Sequence, residues 1–384
     1  MRAALVGAGL TKVEEHWDKG LTELMAEASV QALDSAGISA VDAVYVSNTF
    51  GQVLQEQSNI GAYLAEELGI RGVAASRVEA GGASGLAAAI AAVAAVSSGL
   101  YKSVLVVGGE KMSEATSEDY VSLLTTEEPA ETVAALGVTQ LAEAALLYKE
   151  YLKRNRLEHE DVAYFSVLSH EHSQTVPHAQ YQFKITLDTV VNSPSVAEPI
   201  RRLETTAPAD GAAAVVITSL ETAQKTDGYK AVVSGIGAAT DYLSPFDRED
   251  PLWLRSLSLA SQRALEMAGR KVSDLDFVEV HDSYSLLTPL SLEAIGLAEA
   301  GESCHLARKG RWSLSGEVPV NTFGGLKGRG NPVGASGLYA LVESFLQLSG
   351  RAGKNQVDGA KAGLVSSMAG LGSFSAVAVV EEWV

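Results

Sequence analysis

Residues able to carry chemistry occur in four short stretches, three of them rich in glycine. The stretch with the most reactive side chains is His281-Asp282-Ser283-Tyr284-Ser285, which follows an apolar segment typical of a buried strand. Open α/β sheets place ligands at the carboxyl ends of strands, and a histidine there can act as an acid, a base or a hydrogen-bond donor. A buried structural histidine, with Asp282 capping the following helix, explains the pattern equally well.

The other three stretches are dominated by glycine. Residues 320–337, VNTFGGLKGRGNPVGASG, precede a helical pattern, and so dense a glycine loop indicates a backbone that approaches a ligand closely. Residues 366–373, SSMAGLGS, lie between two strand patterns, and their amides form either an oxyanion hole or a plain hairpin. Residues 78–85, VEAGGASG, open a helix almost free of polar side chains, where a packing turn is the simpler interpretation of that stretch alone.

Two further groups of reactive residue types are interpreted as structural. His170, His172 and His178 share a polar segment without a compact set of carboxylates, so we expect solvated loop histidines rather than a metal site. Cys304 is expected to be structural or exposed, because adjacency to His305 does not by itself make a nucleophile–base pair. A chain with one cysteine also forms no internal disulfide and no site built from several thiolates.

The elements that must position these stretches alternate between strand and helix patterns. Strand patterns at 3–8 and 42–47 alternate with helical periodicity at 21–36 and 57–68, which predicts a mostly parallel sheet covered by helices. The scheme recurs later in the chain, so we predict an N-terminal half at 1–225 and a C-terminal half at 226–384. Residues from about 113 to 200 are polar and contain two amphipathic helix patterns, at 139–154 and 160–174. We interpret them as an insertion that covers a pocket.

Charge and hydropathy narrow the class of partner. The formal net charge is −18, which argues against binding to nucleic acid or to an anionic membrane. The longest strongly apolar run, residues 85–96, is too short to span a bilayer, and the N-terminus lacks the pattern of a signal peptide. We therefore expect a cytoplasmic protein with no nucleic-acid or membrane partner.

The four stretches, in their order along the chain, resemble the thiolase superfamily, and in particular archaeal acetyl-CoA acetyltransferases and sterol-carrier-protein-type thiolases. The resemblance extends from GAGLTKV at Gly7 to the final strand, and DGAAAVV from Asp210 adds to it. It implies the α/β class, with a duplicated five-layered α-β-α-β-α fold and an inserted loop domain. It also implies a homodimer or dimer of dimers that acts on acyl-CoA, with coenzyme A as part of the substrate and no bound cofactor or metal. Some relatives associate with a small zinc-ribbon and OB-fold protein.

The resemblance also assigns roles to individual positions. In thiolases a cysteine at the N-terminus of the buried helix accepts the acyl group, and here Gly82 occupies that position. The histidine of the family's GHP motif is matched by Asn331, and a second acid–base position falls on Ser366. Only His281 keeps a polar catalytic residue of the family. The residues expected around the substrate are Gly82, Ser84, Gly325, Met368 and Gly370.

Loss of the nucleophile predicts that the ordinary thiolase reaction is absent, since an enzyme that depends on a covalent nucleophile loses several orders of magnitude in rate without it. We expect formation or cleavage of a carbon–carbon bond in an acyl-CoA without an acyl-enzyme, of the retro-aldol type. Tyr242, Tyr284 and Tyr339 are candidate acid–base groups. Two alternatives stay open: a non-catalytic subunit that binds acyl-CoA or supports an active partner, and an acetyl-CoA C-acyltransferase of unusual mechanism.

Overall fold

The computed structural model describes residues 2–383, and over that range the chain forms eleven strands and fourteen α-helices. The strands are β1 (Ala3–Leu10), β2 (Ala43–Ser47), β3 (Ala74–Val78), β4 (Ser103–Glu110), β5 (Ser195–Ala197), β6 (Ile200–Arg201), β7 (Gly211–Thr218), β8 (Ala231–Thr240), β9 (Phe277–Glu279), β10 (Ala362–Ala369) and β11 (Phe374–Glu382). The helices are α1 (Leu21–Ala36), α2 (Gly51–Leu54), α3 (Ile60–Glu67), α4 (Ser84–Ser97), α5 (Ser117–Thr125), α6 (Gln140–Asn155), α7 (His159–Ser173), α8 (Leu187–Val191), α9 (Leu220–Ala223), α10 (Arg255–Ala268), α11 (Leu287–Ile295), α12 (Glu302–Arg308), α13 (Gly325–Gly328) and α14 (Ser336–Leu348).

The large sheet has the strand order β3-β2-β4-β7-β1-β8-β11-β10-β9, in which one pattern occurs twice. From β1 outwards, β7 and β4 follow in antiparallel pairings, and β2 and β3 follow in parallel ones. From β8 outwards, β11 and β10 are antiparallel and β9 is parallel. The sheet thus consists of two sets of strands, β3-β2-β4-β7-β1 and β8-β11-β10-β9. The two sets are joined where Ala3–Leu5 of β1 pairs with β8.

The sheet is mixed, so the prediction of a mostly parallel sheet is wrong. Antiparallel pairings outnumber parallel ones, because β7 enters between β4 and β1 against both of them. Strands β10 and β11 are joined by the short turn at 370–373, and a tight turn can only connect antiparallel neighbours. The alternating helix and strand pattern correctly indicated the α/β class but carried no information on strand direction.

Helices fill three layers around the two sets of strands. Helices α4 and α14 touch each other and pack against strands of both sets, so they form the central layer. Helix α1 covers β1, β4 and β7 from outside, and α10 covers β8 and β11 in the same way. The resulting α-β-α-β-α arrangement confirms the predicted fold class.

Glycines let the outer helices approach the strands very closely, in the same way in both sets. A Cβ atom on Gly7 would lie 2.2 Å from the carbonyl oxygen of Ala32 in α1. A Cβ atom on Gly235 would lie 2.0 Å from the carbonyl oxygen of Ala264 in α10. Distances below 3 Å leave no room for a side chain, so each strand requires glycine at its contact with the helix.

The insertion is docked onto the core and contains the two predicted helices. Helices α6 and α7 match the predicted ranges 139–154 and 160–174 to within one residue at each end, which confirms both predictions. Helix α7 packs against α12 and α13, and so ties the insertion to the glycine-rich loop. Within residues 2–383, no helix combines the length and apolar character required to cross a bilayer.

Candidate active site

A cavity of about 540 Å³ lies between the insertion and the loops that follow the core strands. Its wall contains five of the predicted catalytic and substrate-binding residues: Gly82, His281, Asn331, Met368 and Gly370. The insertion and the segment that follows it supply much of the remaining wall, including Tyr120, Glu127, His170, Tyr181 and Arg202. The fold therefore gathers residues of all four sequence stretches and the covering segment around one space.

Gly82 has no room for a side chain. A Cβ atom added there would lie 2.7 Å from the carbonyl oxygen of Met368 and 3.1 Å from Cε1 of His281. The hydroxyl of Ser367 donates to the carbonyl oxygen of Gly82 at 2.8 Å and fixes the turn against β10. The place where a cysteine would project is therefore occupied by His281 and by the backbone of β10.

His281 is buried and lines the cavity as a neutral imidazole. Removal from water, followed by the positive charge of nearby Arg329, lowers the pKa of His281 to about 3. Its Nδ1 atom has no hydrogen-bond partner among the residues that the structure describes. A neutral imidazole carries one N–H, so it can donate to an oxygen in the cavity but does not supply an imidazolium proton near neutral pH.

Asn331 is oriented by its neighbours. Its Oδ1 atom accepts a hydrogen bond from the hydroxyl of Ser336 at 2.8 Å, and its Nδ2 donates to Oγ1 of Thr206 at 3.3 Å. The hydroxyls of Thr206 and Tyr120 lie 3.5 Å apart. The amide N–H₂ of Asn331 has a second proton, which is available to a substrate oxygen.

Glu127 is a site residue that the sequence did not reveal. Its carboxylate lies over the glycine turn, because a Cβ atom added to Gly81 would be 2.7 Å from its Oε2. The same Oε2 accepts a hydrogen bond from the backbone N–H of Gly370. Burial and then the negative charge of Glu79 raise the pKa of Glu127 to about 7, against the opposing hydrogen bonds from Gly370 and Gly82. A carboxyl with a pKa near the ambient pH is suited to act as a general base.

Three of the sequence-predicted site residues do not line the cavity. The hydroxyl of Ser366 points away from it and donates to the carbonyl oxygen of Glu279 at 3.4 Å. Ser84 donates to the carbonyl oxygen of Gly81 at 2.6 Å and stabilises the turn. A Cβ atom on Gly325 would collide with the carboxylate of Asp282 at 2.5 Å, so this glycine is required by packing against Asp282.

The prediction of solvated loop histidines is wrong. His170 and His172 lie on α7, and they and His178 are all buried. The Nδ1 atom of His170 bonds the carbonyl oxygen of Phe183 at 3.1 Å, and His178 bonds a carboxylate oxygen of Glu343 at 2.9 Å. The polar insertion packs against the core, and that contact buries the histidines. Among the described residues no group of His, Cys, Asp and Glu is arranged to hold a metal ion.

Of Cys304 and the three candidate tyrosines, only Tyr284 lines the cavity. Cys304 is buried on α12, away from the cavity, and burial raises its pKa to about 12. Tyr242 is exposed, and the hydroxyl of Tyr339 donates to the carbonyl oxygen of Thr11. Tyr284 lines the cavity, where its hydroxyl donates to Oε1 of Gln140 at 3.2 Å. Burial raises the pKa of Tyr284 well above its usual range, so it stays a hydrogen-bond donor.

Fold and site together define a duplicated five-layered α/β protein whose cavity lies at the N-terminus of its central helix. Residues 3–221 match the family described as thiolase, N-terminal domain, and residues 237–382 match the family described as thiolase C-terminal domain-like. The chain is 34% identical over 376 residues to acetyl-CoA acetyltransferase of Methanothermobacter thermautotrophicus, covering 97% of this chain and 98% of that one. It is also 30% identical over 386 residues to sterol carrier protein 2 of Homo sapiens, covering 94% and 69%. The chain belongs to the thiolase family.

Solved structures share the fold at lower sequence identity. The structure named Ltp2-ChsH2(DUF35) aldolase superposes with a TM-score of 0.87 at 23% identity, covering 99% of this chain and 97% of that one. Human mitochondrial 3-ketoacyl-CoA thiolase superposes with a TM-score of 0.77 at 18% identity, covering 100% and 99%. The similar proteins thus include both acyltransferases and an aldolase by name.

Proposed function

We propose that this protein cleaves a carbon–carbon bond in a β-hydroxyacyl-CoA thioester by a retro-aldol reaction, without forming an acyl-enzyme. One observation carries the proposal: at the turn where thiolases need a nucleophile, Gly82 has no room for one, and the carboxylate of Glu127 lies over that turn instead. The names of similar proteins support a thioester substrate, and the name of the Ltp2-ChsH2(DUF35) aldolase supports aldolase chemistry. Coenzyme A enters as part of the substrate.

The thioester carbonyl binds between the donors that line the cavity. The second amide N–H of Asn331 and the N–H of neutral His281 are two such donors, since both residues line the cavity. Donors fixed before the reaction stabilise the negative charge that develops on the oxygen of an enolate. This arrangement lowers the barrier for any reaction that passes through a thioester enolate.

The carboxylate of Glu127 takes the proton from the β-hydroxyl group. As the O–H bond breaks, the β-carbon becomes a carbonyl, and the bond between the α- and β-carbons breaks with its electron pair passing to the thioester as an enolate. The enolate then takes a proton at the α-carbon, which gives a shorter acyl-CoA and an aldehyde or ketone. The proton removed from the hydroxyl balances the one added, so no oxidant or second substrate is needed.

Assembly belongs to the proposal as well. We propose that the chain forms a homodimer or dimer of dimers and works with a small zinc-ribbon and OB-fold protein. In support, the name of the aldolase structure that superposes with a TM-score of 0.87 includes a second component, ChsH2(DUF35), beside Ltp2. If the partner completes the binding site for coenzyme A, the isolated chain has lower activity than the complex.

A panel of β-hydroxyacyl-CoA esters tests the proposal, with the chain alone and co-expressed with candidate partners. Mass spectrometry follows the shorter acyl-CoA, and hydrazine derivatisation follows the released carbonyl compound. Cleavage in either setting supports a lyase. Binding of the esters without turnover in both settings favours the non-catalytic subunit, whereas acyl transfer from acetyl-CoA favours the acyltransferase that the relatives' names suggest.

A further inference from the structure

Two positively charged side chains line the cavity and form no salt bridge among the described residues. Lys327 on α13 and Arg202 both line it. Among the described residues, neither has a carboxylate within 4.0 Å, although the chain as a whole carries a formal net charge of −18. Arg202 is exposed, whereas Lys327 is only 6% exposed.

Lys327 is held in a position where its charge is costly. Burial lowers the pKa of Lys327 to about 8, and the nearby carboxylates of Asp282 and Glu204 only partly oppose this. Asp282 is already engaged, because it accepts a hydrogen bond from the backbone N–H of Leu326 at 2.6 Å. The ammonium lies 5.5 Å from the ring centre of Tyr181, which gives it a weak cation–π contact. A buried ammonium that has no salt-bridge partner gains free energy when an anion binds beside it.

The ring of His170 also lines the cavity, near Lys327. Nε2 of His170, a residue 1% exposed, has no hydrogen-bond partner among the described residues. The ring of His170 stacks on Tyr181 at 5.5 Å, beside Lys327. Lys327, His170 and Tyr181 therefore form a polar corner of an otherwise largely apolar cavity, and this corner is able to bind a charged group.

We propose that the acyl part of the substrate carries a carboxylate, and that Lys327 binds it with Arg202 as a second cation. This inference rests on the proposed function in that the ligand is a CoA thioester. The backbone N–H of Leu326, the residue before Lys327, donates to the carboxylate of Asp282, the residue after His281. This bond holds α13 beside the segment that carries His281, and Lys327 and His281 line the same cavity. The diphosphate of coenzyme A lies a whole pantetheine chain away from the thioester. A carboxylate on a short acyl chain is the anion that reaches Lys327.

Binding measurements with matched thioesters test this proposal. Glutaryl-CoA and valeryl-CoA have acyl chains of equal carbon number and differ by one terminal carboxylate, and free coenzyme A serves as the third ligand. By isothermal titration, the wild-type protein is expected to bind glutaryl-CoA about tenfold or more tightly than valeryl-CoA, as expected for a charge-assisted hydrogen bond. In Lys327→Met the ratio of the two affinities falls towards one, because only the exposed Arg202 remains, and in Lys327→Arg a larger preference for glutaryl-CoA is kept.

Two further variants keep the test decisive. Lys225→Met makes the same change at an exposed lysine just after α9 and is expected to leave the ratio unchanged. Arg202→Met, at an exposed position, reduces the ratio without burying a new group. Equal affinities of the wild-type protein for both esters overturn the proposal. The proposal is also overturned if Lys327→Met weakens the binding of both esters and of free coenzyme A by the same factor. That result would assign the two cations to the phosphates of coenzyme A. Because only binding is measured, the result is independent of whether the protein cleaves its ligand.

Discussion

Replacing Glu127 by glutamine removes the proposed base while leaving its shape in place. Oε2 of Glu127 accepts from the N–H of Gly370, and the carbonyl oxygen of a glutamine can accept the same bond. The turn and the cavity are therefore expected to keep their structure. A general base contributes about 10²–10⁴-fold to a rate, so kcat/KM of Glu127→Gln is expected to fall by roughly that factor.

The pH profile of kcat/KM distinguishes the loss of a general base in this variant from a loss of packing. The base works only when deprotonated, and the pKa of Glu127 is about 7. For the wild-type enzyme, kcat/KM therefore rises about tenfold per pH unit below that value and levels off above it. With an ester whose carboxylate binds Lys327, kcat/KM falls again above the pKa of that lysine, about 8, which is a separate step. The pKa of His281 is about 3, so that residue stays neutral and adds no step between about pH 5.5 and 9. In Glu127→Gln the rise through pH 7 is lost.

Glu128→Gln is the matched control, because it makes the same change one residue further along the chain. Glu128 is buried but does not line the cavity, so its variant is expected to keep the pH profile of the wild-type protein. Rates are measured with the best ester of the β-hydroxyacyl-CoA panel and compared at equal ligand saturation. A Glu127→Gln enzyme within threefold of the wild type, or one that keeps the rise through pH 7, would refute the assignment of the base.

Three further predictions concern the closed turn, the buried carboxyls and the cysteine. Gly82→Cys is expected to destabilise the fold by about 1–3 kcal/mol in chemical denaturation, because its Cβ atom would lie 2.7 Å from the carbonyl oxygen of Met368. The control Gly20→Cys is expected to change stability little, because its Cβ atom would make only an ordinary contact, 3.4 Å from Oε2 of Glu23. Burial, followed by the charge of a neighbouring carboxylate, raises the pKa of Glu128 to about 9. At pH values between the usual pKa of a glutamate and 9, the folded protein therefore keeps a proton on Glu128 that the unfolded protein has released. This group therefore makes stability fall as pH rises towards 9, and Glu128→Gln should flatten that fall in thermal melts recorded from pH 5 to 9. Cys304, whose pKa burial raises to about 12, should resist iodoacetamide at pH 8 in the folded protein and react fully in denaturant; rapid labelling of the native state would contradict its buried position.

The sequence identified those parts of the site that lie in continuous motifs. His281, Asn331 and the turn at 370 each follow or precede a strand or helix whose pattern is readable from local periodicity. The helices of the insertion were predicted for the same reason. Sheet direction was not, because a strand reads the same whether its neighbour runs parallel or antiparallel.

The parts that were missed depend on long-range packing. Glu127 belongs to a polar run that reads as solvent-exposed, and only the docking of the insertion brings its carboxylate over Gly81. The same docking buries His170, and α7 packs against the short helix that carries the buried Lys327. Ser366 shows the limit of a role assigned from resemblance, since its hydroxyl donates to the carbonyl oxygen of Glu279 and the residue does not line the cavity. In a strand, an offset of one residue reverses the face on which a side chain lies.

The most direct test of the central claim is a time course with one β-hydroxyacyl-CoA ester, in which intact-protein mass and small-molecule products are recorded from the same samples. We predict that shorter acyl-CoA and a carbonyl compound accumulate in equal amounts while the mass of the protein stays unchanged. A protein that gains the mass of an acyl group and loses it again during turnover would contradict cleavage without a covalent intermediate.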